Sequence, residues 1–184
     1  LYEDSDSSLI LAKAKEISEK LEKTGIAVIL DDRGEYTPGW KFNEWELKGV
    51  PIRIEIGPRD IKQRQVTLAR RDTFEKIIVN EEKIVDTAIE LLEDIQNNLF
   101  NRAKKFLEEK TTPVRTYDEF KEVLKEKGGL IKASWCSNSA CEEKIKEETG
   151  ATIRLIPFEK EKPFSKCIYC LEEAKEVVYF ARAY

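Results

Sequence analysis

At 184 residues the chain is long enough for one large domain or two small ones with separate cores, and two is the preferred reading. Charged residues at 37% against 41% hydrophobic exclude a disordered chain, and no apolar run nears the roughly 20 residues that cross a bilayer. The net charge of -4 excludes a uniformly basic nucleic-acid binder, and no basic start leads into the apolar stretch of a signal peptide, so the cytoplasm is the expected compartment.

Ile10, Ala14, Ile17 and Leu21 recur at helical spacing up to Gly25, where the helix should stop. "GIAVIL" (Gly25 to Leu30) then reads as a buried strand, closed by the polar "DDRGEYTPG". In "KFNEWELKG", helical spacing puts Lys41, Trp45 and Lys48 on one side and Phe42 with Glu46 on an adjoining one. In "VPIRIEIG", Ile52, Ile54 and Ile56 alternate with Arg53 and Glu55, so the isoleucines face a core while Arg53 and Glu55 share the other face. "GPRDIKQRQ" turns the chain into a further strand, "QVTLARRD", which should bring Arg70 or Arg71 near that charged face. From Glu81 to about Leu107 the series Ile84, Ala88, Leu91/Leu92, Ile95, Leu99, Ala103, Phe106 describes one long amphipathic helix.

"EEKTTPV" with Pro113 marks the domain boundary, giving domains over residues 1–110 and 111–184. Thr116 and Glu119 form a capping box for a helix through about Lys127, which Gly128 and Gly129 end. After "LIKASW", Ser139 and Glu142 form a second capping box for a short helix ending at Gly150, and "ATIRLIPF" and "EVVYFARAY" supply strands. Helices alternating with strands make this an α/β chain whose second part is small and α+β.

Cys136 and Cys141 are separated by four residues, Cys167 and Cys170 by two, and the pairs by twenty-five. Two short-spaced pairs far apart fit a structural zinc site with a thiolate at each tetrahedral corner. Cys141 would lie in a helix first turn, where the dipole favours a thiolate, and Lys132, Lys144 and Lys166 could offset the site's charge. Two disulfides, four unconnected core thiols and an iron–sulfur cluster are the other readings; without a secretion signal the disulfides are disfavoured. Four sulfur ligands leave no open position for hydrolysis, so such a metal would be structural.

Charge is unevenly spread. Residues 40–76 hold nine Lys/Arg against six Asp/Glu, a local +3 on an acidic chain. That suits a partner bound by shape and specific contacts. Trp40, Phe42 and Trp45 can be core aromatics on an irregular segment, and a charged strand face can simply be solvated. The functional alternative is a base-recognition platform: an aromatic ring stacks an unpaired base, Arg addresses O6 and N7 of guanine, and a carboxylate accepts from its N1 and N2 donors. Phe42, Glu46, Arg53, Glu55 and Arg59 supply that chemistry on neighbouring surfaces.

"TPGWKFNEWELKGVPIRIEIGPRD", "QVTLARRDTFEK", "WCSNSACEEKIKEETGATIRLIPF", "CIYC" and the final "YFARAY" together resemble the C-terminal part of the prolyl-tRNA synthetases of the archaeal and eukaryotic type, over essentially the whole chain. The resemblance implies a class II synthetase anticodon-binding domain, a five-stranded mixed sheet flanked by helices, followed by a zinc-binding domain. It implies contacts from Phe42, Glu46, Arg53, Glu55 and Arg59 to the anticodon guanines of proline tRNA, with Lys common in the family where Arg59 stands. Zinc would be held by Cys136, Cys141, Cys167 and Cys170, and Tyr184 would end a tail packed toward the catalytic domain. Further implied partners are that catalytic domain and a second copy in a homodimer.

The chain has no histidine, the usual acid/base group, and nothing in it resembles the three class II motifs, a Walker A loop or GxGxxG. No catalytic residue is therefore assigned, and ATP and Mg2+ would belong to a catalytic domain elsewhere. A chain that starts at Leu1 without any Met reads as part of a longer protein, whose first anticodon-domain strand would precede Leu1. The expected function is thus the anticodon-recognising, zinc-binding portion of a proline-tRNA ligase. The rivals are a freestanding RNA-binding accessory module without catalysis and a redox protein using the cysteine pairs.

Overall fold

A computed structural model describes residues 4–183; Tyr184, assigned a tail role from the resemblance, lies outside them. The chain divides into two compact units, Leu1–Asn101 and Arg102–Tyr184.

Helix α1 (Asp4–Glu22) opens the first unit, with Ile17 and Leu21 buried at the spacing read from the sequence. The next stretch departs from expectation. Residues 26–30 belong to no strand, although Ile26, Val28 and Leu30 are half-buried and Ala27 and Ile29 exposed, the alternation of one. Ile26 and Val28 still pack on the core around Ile17, Leu21, Val66 and Leu68. A strand needs a neighbour to complete its ladder, and the described residues provide none beside this segment.

Thr37 caps helix α2 (Pro38–Leu47): its hydroxyl accepts from the Trp40 N–H, and Pro38 begins the helix with its φ already set. The sheet of this unit has three strands among the described residues, where the resemblance implies five. These are β1 (Ile52–Glu55), β2 (Gln65–Arg70) and β3 (Lys76–Asn80), antiparallel in the order β1-β2-β3. Ile52, Ile54 and Ile56 face the core as their alternation requires. The segment read as a turn is a short helix, α3 (Pro58–Gln63), because the Asp60 carboxylate accepts from the Gly57 N–H at 2.9 Å and fixes a first turn.

Across β1 and β2, Arg70 stands opposite Ile52 and Ala69 opposite Arg53. Arg70 therefore leaves the charged face and instead donates to Asp72 (3.0 and 2.8 Å) and Asp94 (2.5 Å). Arg70 and Arg71 both line a small cleft with Trp45, Glu46, Val50 and Arg53.

A 3-10 turn (Glu81–Lys83) leads into α4 (Ile84–Glu109), which buries Ile84, Ala88 and Ile95. Leu99, Ala103 and Phe106, read as the continuation of its apolar face, are exposed. Geometry explains this: the 26 residues of α4 extend about 39 Å, whereas three strands are only about 15 Å wide. The helix outruns the sheet that covers it.

In the second unit β4 (Thr111–Pro113), β5 (Leu130–Trp135), β6 (Ala151–Leu155) and β7 (Glu176–Arg182) form a mixed sheet ordered β4-β5-β7-β6, with only β4 and β5 parallel. Helix α5 (Tyr117–Glu126) has the capping box read from sequence, Thr116 accepting from the Glu119 N–H while Glu119 accepts from the Thr116 N–H. Phe120 meets Phe180 edge-on at 5.2 Å in the core. Gly129, at φ 83, must be glycine, since a Cβ there would stand 2.4 Å from the Lys110 carbonyl oxygen. Helix α6 (Ser139–Thr149) is capped by Asn138, not Ser139: the Asn138 side chain accepts from the Ala140 N–H, and Glu142 turns instead to the Ile153 N–H at 3.0 Å. Asn competes for the cap as well as Ser does, and it stands one residue earlier.

The Asp72 carboxylate, whose side chain is 1% exposed, is held at about 2 against an ordinary 3.8 by the hydrogen bonds of Arg70, which outweigh its burial, with help from Asn98. A depressed carboxyl stabilises the fold fully above its ordinary pKa and loses that contribution as pH falls through the folded value. The stability of the first unit should therefore fall by roughly 2 kcal/mol more between pH 6 and pH 2 than that of Asp72→Asn, measured by urea denaturation at each pH.

Candidate functional site

Two clusters stand out, one in each unit. In the first, Phe42 and Glu46 lie one turn apart on α2, and Arg53 and Glu55 two residues apart on β1, where the pleat puts them on one face. The Arg53 guanidinium sits 4.0 Å from the centroid of the half-buried Phe42 ring. It donates to the Glu46 carboxylate at 2.5 Å and to Glu55 at 3.0 Å. The second Glu55 oxygen accepts from Lys76 Nζ at 2.8 Å. Four of the five residues read from sequence thus form one surface. Arg59, on α3, is exposed and has no ion pair of its own among the described residues.

Lys76 was missed by sequence reasoning. Arg53 pairs with Ala69 and Ala69 with Lys76, so the three form one row across the sheet. "KIIVN" contains the strand's residues, but its register could not be found without β2 as partner.

A second group flanks α2. Asp31 accepts from Arg33 Nε (2.8 Å) and Nη2 (2.6 Å) and from Trp45 Nε1 (2.8 Å), and the Arg33 bonds, foremost, hold its carboxyl well below the usual carboxylate range. Arg33 also donates to Glu44 at 2.6 Å. Its guanidinium lies beside Tyr36 and Trp40, whose rings are stacked with centroids 4.0 Å apart and planes 13° from parallel.

In the second unit, the Sγ atoms of Cys136, Cys141, Cys167 and Cys170 all lie within 4.8 Å of one another. All four are free thiols, which disposes of the disulfide reading. Cys136 Sγ is 3.6 Å from that of Cys141 and 3.7 Å from that of Cys170. Sulfurs bound tetrahedrally at about 2.3 Å stand about 3.8 Å apart, so these edges fit a single central ion.

The fold supplies the rest of the arrangement. Cys136 follows β5, Cys141 is in the first turn of α6, and the other pair occupies the loop before β7. That loop is tied to β5 by Ser134, whose buried Oγ accepts from the Phe164 and Ser165 N–H groups, while its carbonyl accepts from the Ile168 N–H. Ser137 and Leu171, each directly after a cysteine, adopt left-handed φ of 64° and 62°. Such conformations cost about 1–3 kcal/mol each and bend the chain back around a centre. Burial raises the thiol pKa values of Cys136 and Cys141. At Cys167 burial is outweighed by the backbone N–H groups of Cys170, Tyr169 and Cys136, which lower its thiol pKa. Of the three lysines considered as charge balance, Lys132 is paired with Glu161 at 2.5 Å and Lys144 lies over the Tyr169 ring.

Comparison with known proteins divides the chain between two family models. Residues 5–91 match an anticodon binding domain, and residues 117–184 match the C-terminal model of prolyl-tRNA synthetase. The chain is 54% identical over 175 residues to the proline–tRNA ligase of Alkaliphilus oremlandii and 52% identical over 177 residues to that of Natranaerobius thermophilus. It is 49% identical over 175 residues to proline–tRNA ligase 2 of Clostridioides difficile. Each alignment covers 95% of this chain and 36% of the relative's length. No helix among the described residues is long and apolar enough to cross a membrane.

Proposed function

The chain belongs to the prolyl-tRNA synthetase family through its anticodon-binding and C-terminal domains, and from that premise we propose that it reads the anticodon of proline tRNA for a ligase that joins proline to that tRNA through prolyl-adenylate. Residues 1–110 would recognise RNA and residues 111–184 would form a zinc-stabilised domain. ATP, Mg2+ and the bond-making steps are assigned to no residue of this chain. The work would take place in the cytoplasm, in an enzyme that dimerises as its family does.

One observation carries the reading: the Arg53 guanidinium is stacked on Phe42 and gripped by Glu46 and Glu55. An arginine held this way cannot collapse onto other groups when RNA is absent. Arg53 would donate to O6 and N7 of a guanine by exchanging bonds it now makes to the carboxylates, while Glu46 and Glu55 would accept from the N1 and N2 donors. Phe42 would stack an unpaired base together with Arg53. Arg59, exposed, would contact phosphate.

Zinc is the ion the second unit would take. Four sulfur donors within 4.8 Å of one another, two of them buried, would suit a soft-ligand ion of tetrahedral geometry, and Zn2+ would relieve the burial of thiolate charge. Its contribution would be to folding, since it ties β5, α6 and the loop before β7 at one point.

An anticodon stem–loop of proline tRNA should bind the chain, and Arg53→Ala should weaken binding by ~1–3 kcal/mol and erase the preference for guanine over adenine in the loop. Arg59→Ala should weaken guanine and adenine loops alike and lower the salt slope of log K by about one. If wild type shows no guanine preference, or Arg53→Ala leaves the preference intact, the assignment is wrong. For the second unit, native mass spectrometry should find one zinc per chain, with all four thiols shielded from alkylation. Chelation should abolish the unfolding transition reported by Trp135 while the first unit stays folded; a chain that keeps that transition without metal would refute the zinc assignment.

A further inference from the structure

We propose that the stacked pair Tyr36 and Trp40, braced by Arg33, is a second nucleobase platform that takes an unpaired base of the same RNA loop, next to the guanines read by Arg53. The inference rests on the anticodon reading above and extends it to residues outside the five assigned there.

Helix α2 buries no residue, and Trp40, Asn43 and Leu47, three and four apart, form its outward crest. Trp40 is 45% exposed and Tyr36 38%, although large aromatics normally gain by burial. These rings are nevertheless not loose. They lie nearly parallel at 4.0 Å, with the Arg33 guanidinium 4.9 Å from Tyr36 and 5.4 Å from Trp40. Arg33 is fixed in turn by both oxygens of Asp31 and by Glu44, and Asp31 by Trp45. Buried aromatics are held in place by packing; here a polar scaffold holds two rings in the open. A preorganised flat face spares a ligand the cost of ordering it.

Position indicates the occupant. At about 100° per residue, Trp40 and Phe42 stand on opposite flanks of one helix whose diameter with side chains is about 10–12 Å, short enough for a single RNA loop to touch both. Asn43, on the crest between them, leads directly to Glu46, which already belongs to the Arg53 cluster. Stacking accepts any base, because every base has a π-face, and the cation beneath strengthens it. The expected role is therefore affinity and placement of the loop without readout of sequence.

The test uses the 184-residue chain and a proline anticodon stem–loop carrying 2-aminopurine in turn at each loop position outside the guanines. In wild type one such position should be quenched on binding. Trp40→Ala should restore that fluorescence and weaken binding about tenfold to a hundredfold, equally for guanine and adenine loops, while the guanine preference survives. Trp40→Phe, which keeps a stacking face, should retain most of the affinity and the quenching, separating stacking from any loss of fold in the alanine variant. If Trp40→Ala and Tyr36→Ala bind and quench as wild type while Arg53→Ala loses guanine preference, the platform is refuted and the anticodon reading stands. If Arg53→Ala also changes nothing, both fall. Self-association in sedimentation that Trp40→Ala abolishes would show the pair to be a protein interface and overturn the proposal.

Discussion

An arginine suspended over a phenyl ring, with a carboxylate on either side, organises the first unit. A cation over an aromatic face is worth about 0.5–2 kcal/mol, and the partial burial of Arg53, 17% exposed, puts it toward the upper part of that range. Its orientation matters more than its energy. β1 must be a strand for Arg53 and Glu55 to share a face, α2 must be a helix for Phe42 and Glu46 to share a flank, and the two must pack for the flank to meet the face. On the opposite face, the isoleucines of β1 pack into the core. Core and charged cluster are thus two sides of the same four-residue strand.

The second unit solves a different problem with the same economy. Its sheet is small, and its two cysteine pairs sit where the chain leaves β5 and where it approaches β7, strands that are neighbours in the sheet. Drawing the four sulfurs together closes long loops that the core alone leaves open. The left-handed Ser137 and Leu171 are the local cost of aiming each pair inward.

Signals confined to a few neighbouring residues were legible in the sequence. The Thr116/Glu119 box, the alternation of Ile52, Ile54 and Ile56, the helical face of α4 up to Ile95 and the short spacing within each cysteine pair are all patterns of local spacing along the chain. What was missed depends on partners distant in sequence. Ile26 to Leu30 have the pattern of a strand but no neighbour to pair with among the described residues. Lys76 reaches Glu55 only through the register of three strands. Of Arg70 and Arg71, either of which was expected near Arg53, Arg70 stands opposite Ile52 in the register and pairs with Asp94, twenty-four residues on. The choice of Asn138 over Ser139 is a contest between adjacent caps that spacing alone does not decide.

Glu46, Arg53, Glu55 and Lys76 have one further property: as a group they carry two charges of each sign. A patch of bare arginines would attract any polyanion, and an acidic chain in a cell crowded with RNA would then spend its time on wrong partners. Self-neutralised, this surface exerts almost no pull at a distance. Its charges would become available only to a molecule whose own donors and acceptors replace those already engaged, so selectivity, on the proposed reading, would begin with silence toward everything else.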